Sequence, residues 1–187
     1  DFTQDQTWLN FKQGLDAVTA NTVAAPDSTP TADTLTLNST GTRYQPVRVD
    51  AGVTYTYSLA MKLGTASKSF YWGVWNPSAA WIVGLYPGDA ALDALSDSAW
   101  TRLSVTFTAA ATQTVWLLLP WASGANDNKT VQAWGALFNI GASPITYART
   151  DAAPTRLLRA ATQDYTSLSA DNPPFMLYPG QIGRAHV

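Results

Sequence analysis

The chain has 187 residues, of which 46% are hydrophobic and 13% charged, with a formal net charge of −2. That length supports one ordinary domain, or a domain with an arm. The sparse charge, with no basic run, argues against nucleic-acid binding through phosphate contacts. There is no cysteine and a single histidine, His186, so disulfides, thiol catalysis, a histidine triad and a multi-histidine metal site are all excluded.

The 13 acidic residues are all Asp. A two-carboxylate glycosidase is thereby disfavoured but not closed off. No stretch is apolar and long enough to span a membrane. The first residue is Asp rather than Met, so the chain reads as a processed product or a piece of something longer.

In chain order, residues 1–12 read as an opening strand or arm carrying Phe2, Trp8, Leu9 and Phe11. A weak strand at Ala17–Ala25 is followed by a turn, Pro26-Asp27-Ser28-Thr29-Pro30, and by an alternating segment, Thr31–Leu37. Gln45–Val49 alternates before a turn at Asp50-Ala51-Gly52. Val53–Lys62 is the clearest strand: Val53, Tyr55, Tyr57, Leu59 and Met61 share one face. Ser69–Trp75 and Ala80–Tyr86 are aromatic strands joined by a loop short enough for a hairpin. One helical turn is expected around Ala90–Leu95. Trp100–Thr108 alternates, Thr114–Trp121 is apolar enough for a central strand, and Val131–Asn139 closes the series.

Strands at this spacing, with turn chemistry between them, predict an all-β fold, an antiparallel sandwich of two sheets. Four segments, PDSTPTADTLT, VTYTYSLAMK, WTRLSVTFT and WGALFNIGASPITYART, resemble in order and spacing the jelly-roll domains of phage virion proteins. Those domains are themselves similar to carbohydrate-binding modules of the galactose-binding-like β-sandwich type. The resemblance covers about Trp8–Thr150 and departs from the pattern at Ser28, usually Gly, and at Asn139, often Glu. It implies a jelly-roll domain over residues 1–150. Residues 151–187, rich in proline and glycine with apolar anchors, read as an extended C-terminal arm.

Function follows the aromatics. Eight Trp and eight Tyr are a heavy load, and a pyranose stacks its C–H face on an aromatic ring. Trp8, Tyr55, Tyr57, Phe107 and Trp134 are assigned to the core, Trp134 with Ala136 and Phe138. Trp100 is assigned to the core or an edge. Alternation places Phe70, Trp72 and Val74 opposite Tyr71, Gly73 and Trp75, and Trp81, Val83 and Leu85 opposite Ile82, Gly84 and Tyr86. Both faces carry rings, so one set faces outward. The candidate ligand platform is Trp75, Tyr86, Trp116 and Trp121, supported by Tyr71, with Asn76 and Arg102 as hydroxyl readers. The competing reading buries these rings between sheets or between subunits.

Asp27, Asp33 and Asp127 are calcium candidates without the density of a dedicated loop, and no cofactor is assigned. Asp89, Asp93 and Asp97 would align on a helix as a solvated face rather than a catalytic one, and no nucleophile elbow or phosphate loop appears. The resemblance therefore implies a non-catalytic virion protein that attaches to cell-surface polysaccharide. The alternative is a structural head, tail or fibre domain. In that reading the aromatics and arm contact other virion proteins or further copies in a homo-oligomer. A module detached from a secreted bacterial enzyme is a third reading.

Overall fold

Alternating β-branched and aromatic residues, cut by Gly, Pro, Asn and Asp turns, build ten strands among the described residues. A computed structural model describes residues 8–12, 14–78 and 80–147. The strands are β1 (Leu9–Lys12), β2 (Ala17–Val23), β3 (Ala32–Thr36), β4 (Gly41–Val49), β5 (Thr54–Leu63), β6 (Phe70–Asn76), β7 (Ala80–Leu85), β8 (Thr101–Thr108), β9 (Gln113–Ala122) and β10 (Thr130–Ile140). One helical turn, α1 (Ala90–Asp93), falls where it is expected, and a 3-10 turn occupies Gly124–Asn126. The expected arm, residues 151–187, lies outside the described residues. Among the described residues no helix is long and apolar enough to cross a membrane.

Every strand pair is antiparallel. The front sheet has the order β1-β4-β9-β6-β7 and the back sheet β2-β3-β10-β5-β8. Sequence neighbours repeatedly land in different sheets, which is the jelly-roll pattern and matches the predicted fold class.

The core lies between the inner faces. Tyr57, Leu59 and Met61 of β5 meet Phe70, Trp72 and Val74 of β6, all fully buried. Burying each such side chain contributes about 1.5–3 kcal/mol. Tyr57 donates its hydroxyl to the Leu118 carbonyl at 3.2 Å, so its one polar atom is satisfied across the sandwich. Burial pushes its phenol well above the usual range. Trp8 belongs to the core as expected, while Trp100 is half-buried, with its indole N–H on the Ala24 carbonyl at 3.1 Å.

Four register shifts interrupt the alternation among the described residues, one of them on β2 between Thr19 and Val23. On β10 the register with β5 slips between Trp134 and Leu137, at Gly135, whose φ is +60°. An extra residue reverses which face each later side chain takes. Val131 and Ala133 point inward, and after the bulge Ala136 and Phe138 do. Trp134 therefore does not join them in the core, contrary to the expectation. It is half-buried on the outer face, against Tyr147 at 4.4 Å between ring centroids, and donates to Thr31 Oγ1 at 3.0 Å. Two further bulges lie in the front sheet.

A Cβ at Gly135 would stand 3.0 Å from Arg102 Nη2 and 3.2 Å from the Tyr147 ring. Gly135→Ala combines that crowding with a left-handed backbone, so a loss of about 1–2 kcal/mol is expected. Thermal unfolding should then show a midpoint lower by about 3–6 °C. An unchanged midpoint would mean that the bulge does not depend on glycine.

Candidate functional site

On the front sheet one face is core and the other carries rings. The β6 residues divide as alternation predicts: Phe70, Trp72 and Val74 are inside, with Tyr71 and Trp75 outside. Two bulges then bring further rings to the outer side. On β7, Val83 pairs with Val74 but Trp81 pairs with Trp75, leaving Ile82 as the extra residue. Trp81 thus shares the face of Trp75, not that of Val83 and Leu85 as strict alternation has it. On β9, Leu118 pairs with Gly73 but Trp121 pairs with Tyr71, which places the extra residue at Leu119–Pro120. Trp116 and Trp121, five positions apart, consequently face the same way. Proline fits such a position because no ladder N–H is needed there. Thr42, fully buried, donates its hydroxyl to the Leu119 or Pro120 carbonyl, at 3.1 and 3.0 Å.

The result is a closed circuit of five rings. Trp75 stands edge-on to Trp81 at 5.1 Å between centroids, and Trp81 to Tyr86 at 5.7 Å. Tyr86 meets Tyr71 at 6.1 Å, Tyr71 meets Trp121 at 6.4 Å, and Trp121 returns to Trp75 at 6.3 Å. All five pairs are near-perpendicular, with interplanar angles from 63° to 83°. Edge-to-face pairing sets the positive rim of one ring against the negative face of the next and holds the rings without a ligand.

Gly73 and Gly84 pair beneath the circuit. A Cβ on Gly84 would stand 3.0 Å from the Trp81 ring, and one on Gly73 would collide with the β7 backbone. Side chains are thus excluded where the rings converge.

Tyr71, Trp75, Trp81 and Trp121 line a cleft of about 380 Å³, together with Ser39, Ala122, Ser123 and Gly124. That volume is toward the lower end of the range of about 300–1,000 Å³ for small-molecule sites. The Trp121 indole N–H donates to the Ser39 carbonyl at 3.0 Å, fixing the ring. Ser39 is held in turn by its N–H on Asp127 Oδ1 at 2.7 Å, and the Ser69 and Ser123 hydroxyls meet at 2.7 Å. One end of the cleft is therefore hydroxyl and backbone, and no lining residue carries a charge. Tyr86, at the outer rim, has its phenol held above the usual value, first by burial and then by Asp89.

Of the seven residues singled out from the sequence, Tyr71, Trp75, Tyr86 and Trp121 come together in this circuit. Trp116 stands beside it. Its ring packs on Tyr44 at 4.3 Å and on Phe11 at 5.6 Å, and Phe11 also meets Trp75 at 5.9 Å and Trp121 at 5.4 Å. Phe11 thus occupies the space between Trp116 and the cleft. Asn76 is a hairpin residue whose Oδ1 accepts the Ser78 N–H at 2.9 Å.

Arg102 is on the back sheet, away from the cleft, where it donates at 3.0 Å to both Ser58 Oγ and the Gly135 carbonyl. Burial lowers its pKa, which the neighbouring Tyr147 partly opposes. Sequence reasoning missed Trp81, because the bulge at Ile82 is invisible to simple alternation. It also missed Ser39 and Ser123, which arrive from distant loops.

The calcium candidates are engaged elsewhere. Asp27 Oδ1 accepts from Thr29, Asp33 Oδ1 from the Asn21 N–H, and Asp127 Oδ1 from Ser39. Among the described residues no three acidic or histidine side chains gather as a metal site.

No family model matches the sequence, and no curated protein does either. Among solved structures, the chain is similar to a CBM4 module with a TM-score of 0.50 at 12% identity, over 75% of this chain and 92% of that one. It is similar to the arabinose-bound MgGH51 α-L-arabinofuranosidase with a TM-score of 0.50 at 13% identity, over 72% of this chain but 23% of that one. It is also similar to tailspike protein 4 of bacteriophage CBA120, with a TM-score of 0.47 at 10% identity, over 74% of this chain and 20% of that one. The chain thus spans under a quarter of the enzyme and of the tailspike, but nearly the whole CBM4 module. At these identities the likeness to the CBM4 module and to the enzyme is one of fold alone, a two-sheet antiparallel β-sandwich.

Phe11 is the piece that separates Trp116 from the cleft. Phe11→Ala should cost about 1–3 kcal/mol of stability, less than for a fully buried Phe. It should also make tryptophan fluorescence redder and more accessible to iodide. Unchanged quenching would mean that Phe11 does not cover these rings.

Proposed function

We propose that this chain is a non-catalytic carbohydrate-binding domain whose site is the cleft of Tyr71, Trp75, Trp81 and Trp121. The observation that carries this reading is the pairing of an aromatic wall with a neutral, hydroxyl-bearing end in one cleft. Apolar ring faces suit the C–H face of a pyranose, and Ser39, Ser123 and the Gly124 backbone suit its hydroxyls. The fold shared with a CBM4 module supports the reading as analogy, since function lies in the site rather than the fold.

We place the domain on a virion, attaching to cell-surface polysaccharide, on the strength of the four sequence segments that resemble phage jelly-roll domains. In this proposal residues 1–150 form the binding domain, and the arm, residues 151–187, contacts other virion proteins or further copies in a homo-oligomer.

A glycan array of bacterial surface polysaccharides, run with the wild type and with Trp75→Ala, tests the proposal. Saturable binding is expected, weakened at least about fivefold by Trp75→Ala, since one base-sized aromatic stack is worth about 1–3 kcal/mol. Arg102→Ala, on the other sheet, should leave affinity unchanged. Equal loss in both variants would indicate unfolding rather than a site. Absence of binding to any glycan would favour the structural reading, in which the rings meet another protein.

A further inference from the structure

We infer that the cleft selects saccharides bearing a carboxylate, and that Lys12 is the residue that reads it. This rests on the carbohydrate reading above and names the class of sugar. Phe11 and Lys12 end β1, paired with Thr42 and Gly41 of β4. The Phe11 ring is on the outer face, among Trp75, Trp116 and Trp121. Regular alternation would send the next side chain to the opposite face.

Lys12 instead has a φ of +56°, a left-handed conformation uncommon for a residue with a side chain. Its ammonium lies on the same aromatic face as Phe11, 4.9 Å from the Trp121 ring centroid and 5.5 Å from that of Phe11. The backbone therefore departs from its preferred region, and the departure delivers a cation to a ring that lines the cleft.

The charge is available. Among the described residues no carboxylate pairs with Lys12, the one ion pair there being Arg48 with Asp50. The acids of the adjoining loops make their hydrogen bonds elsewhere while keeping their charge: Asp16 Oδ1 accepts from Asn38 Nδ2, and Asp127 Oδ1 from the Ser39 N–H. Lys12 itself is exposed. The cleft lining is itself neutral, so its field is shaped by the Lys12 ammonium on the Trp121 side and by the Asp127 carboxylate behind Ser39, the ammonium being the charge on the aromatic wall. A neutral sugar gains little from that. A uronic acid, stacked on Trp121 with its carboxylate toward Lys12, gains a charge-assisted hydrogen bond.

The test uses a panel of acidic polysaccharides, each assayed native and after reduction of its carboxyl groups to alcohols. For a ligand of the wild-type chain, reduction is expected to weaken binding about fivefold at low salt, and less as salt rises. In Lys12→Gln, native and reduced forms should bind alike, at the affinity of the reduced form for wild type. Wild-type binding that reduction leaves unchanged or improves would overturn the inference while leaving the carbohydrate site standing. So would a preference for the native form that survives Lys12→Gln. Binding of neither form of any of these polysaccharides, nor of the neutral glycans of the array above, would overturn both readings.

Discussion

The aromatic circuit depends on two places where the front sheet breaks its own alternation. A strand sends successive side chains to opposite faces, and one extra residue reverses the order beyond it. At Ile82 the reversal carries Trp81 out of the core and over Gly84. At Leu119–Pro120 it lets Trp121 join Tyr71 outside, while Leu119 and Ala122 remain in the core. Without these bulges, Trp81 would compete with Val83 for the interior and Trp121 would turn inward. Bulges cluster where a sheet must re-aim a side chain, and here both aim tryptophans at one cleft.

The rest of the front sheet is arranged to tolerate the disruption. Thr42 offers its hydroxyl to the Leu119 or Pro120 carbonyl that the β9 bulge leaves beside β4. Gly73 and Gly84 allow the β6 and β7 backbones to pass closely beneath the rings. Phe11 fills the gap beside Trp116. Leu118 shows how complete this cover is: it is fully buried, yet it lies on the outer side of β9 and outside the main core cluster. A buried apolar residue beneath an aromatic layer makes that layer part of the packing as well as a surface. The rings are thereby fixed before any ligand arrives, which reduces the entropy lost on binding.

Much of this was legible in the sequence, for physical reasons that can be named. Val53–Lys62 alternates without a break, and the structure has Tyr55, Tyr57, Leu59 and Met61 in the core. Aromatics on both faces of Ser69–Trp75 required an outward set, and Tyr71 and Trp75 form it. Trp81 and Trp134 were misassigned for one shared cause. Each adjoins a bulge, and a period-two reading carries no signal for an inserted residue. Gly135 was the available hint, since a glycine within a strand often marks such a point. For Arg102 and Asn76 residue type alone carries no information on position. One serves Ser58 and the Gly135 carbonyl, the other its own hairpin. Ser39 and Ser123 reach the cleft through long-range topology, which no local pattern encodes.

In the proposed site three particular indoles, out of eight in the chain, face a saccharide. The most direct measurement is the set of indole N–H resonances in a nitrogen-15-labelled sample titrated with a bound glycan. The account predicts that Trp75, Trp81 and Trp121 shift together along one binding isotherm, while Trp72 and Trp100 stay in place. Shifts confined to Trp100 and Trp134 on the back sheet, or none at a saturating concentration, would contradict it.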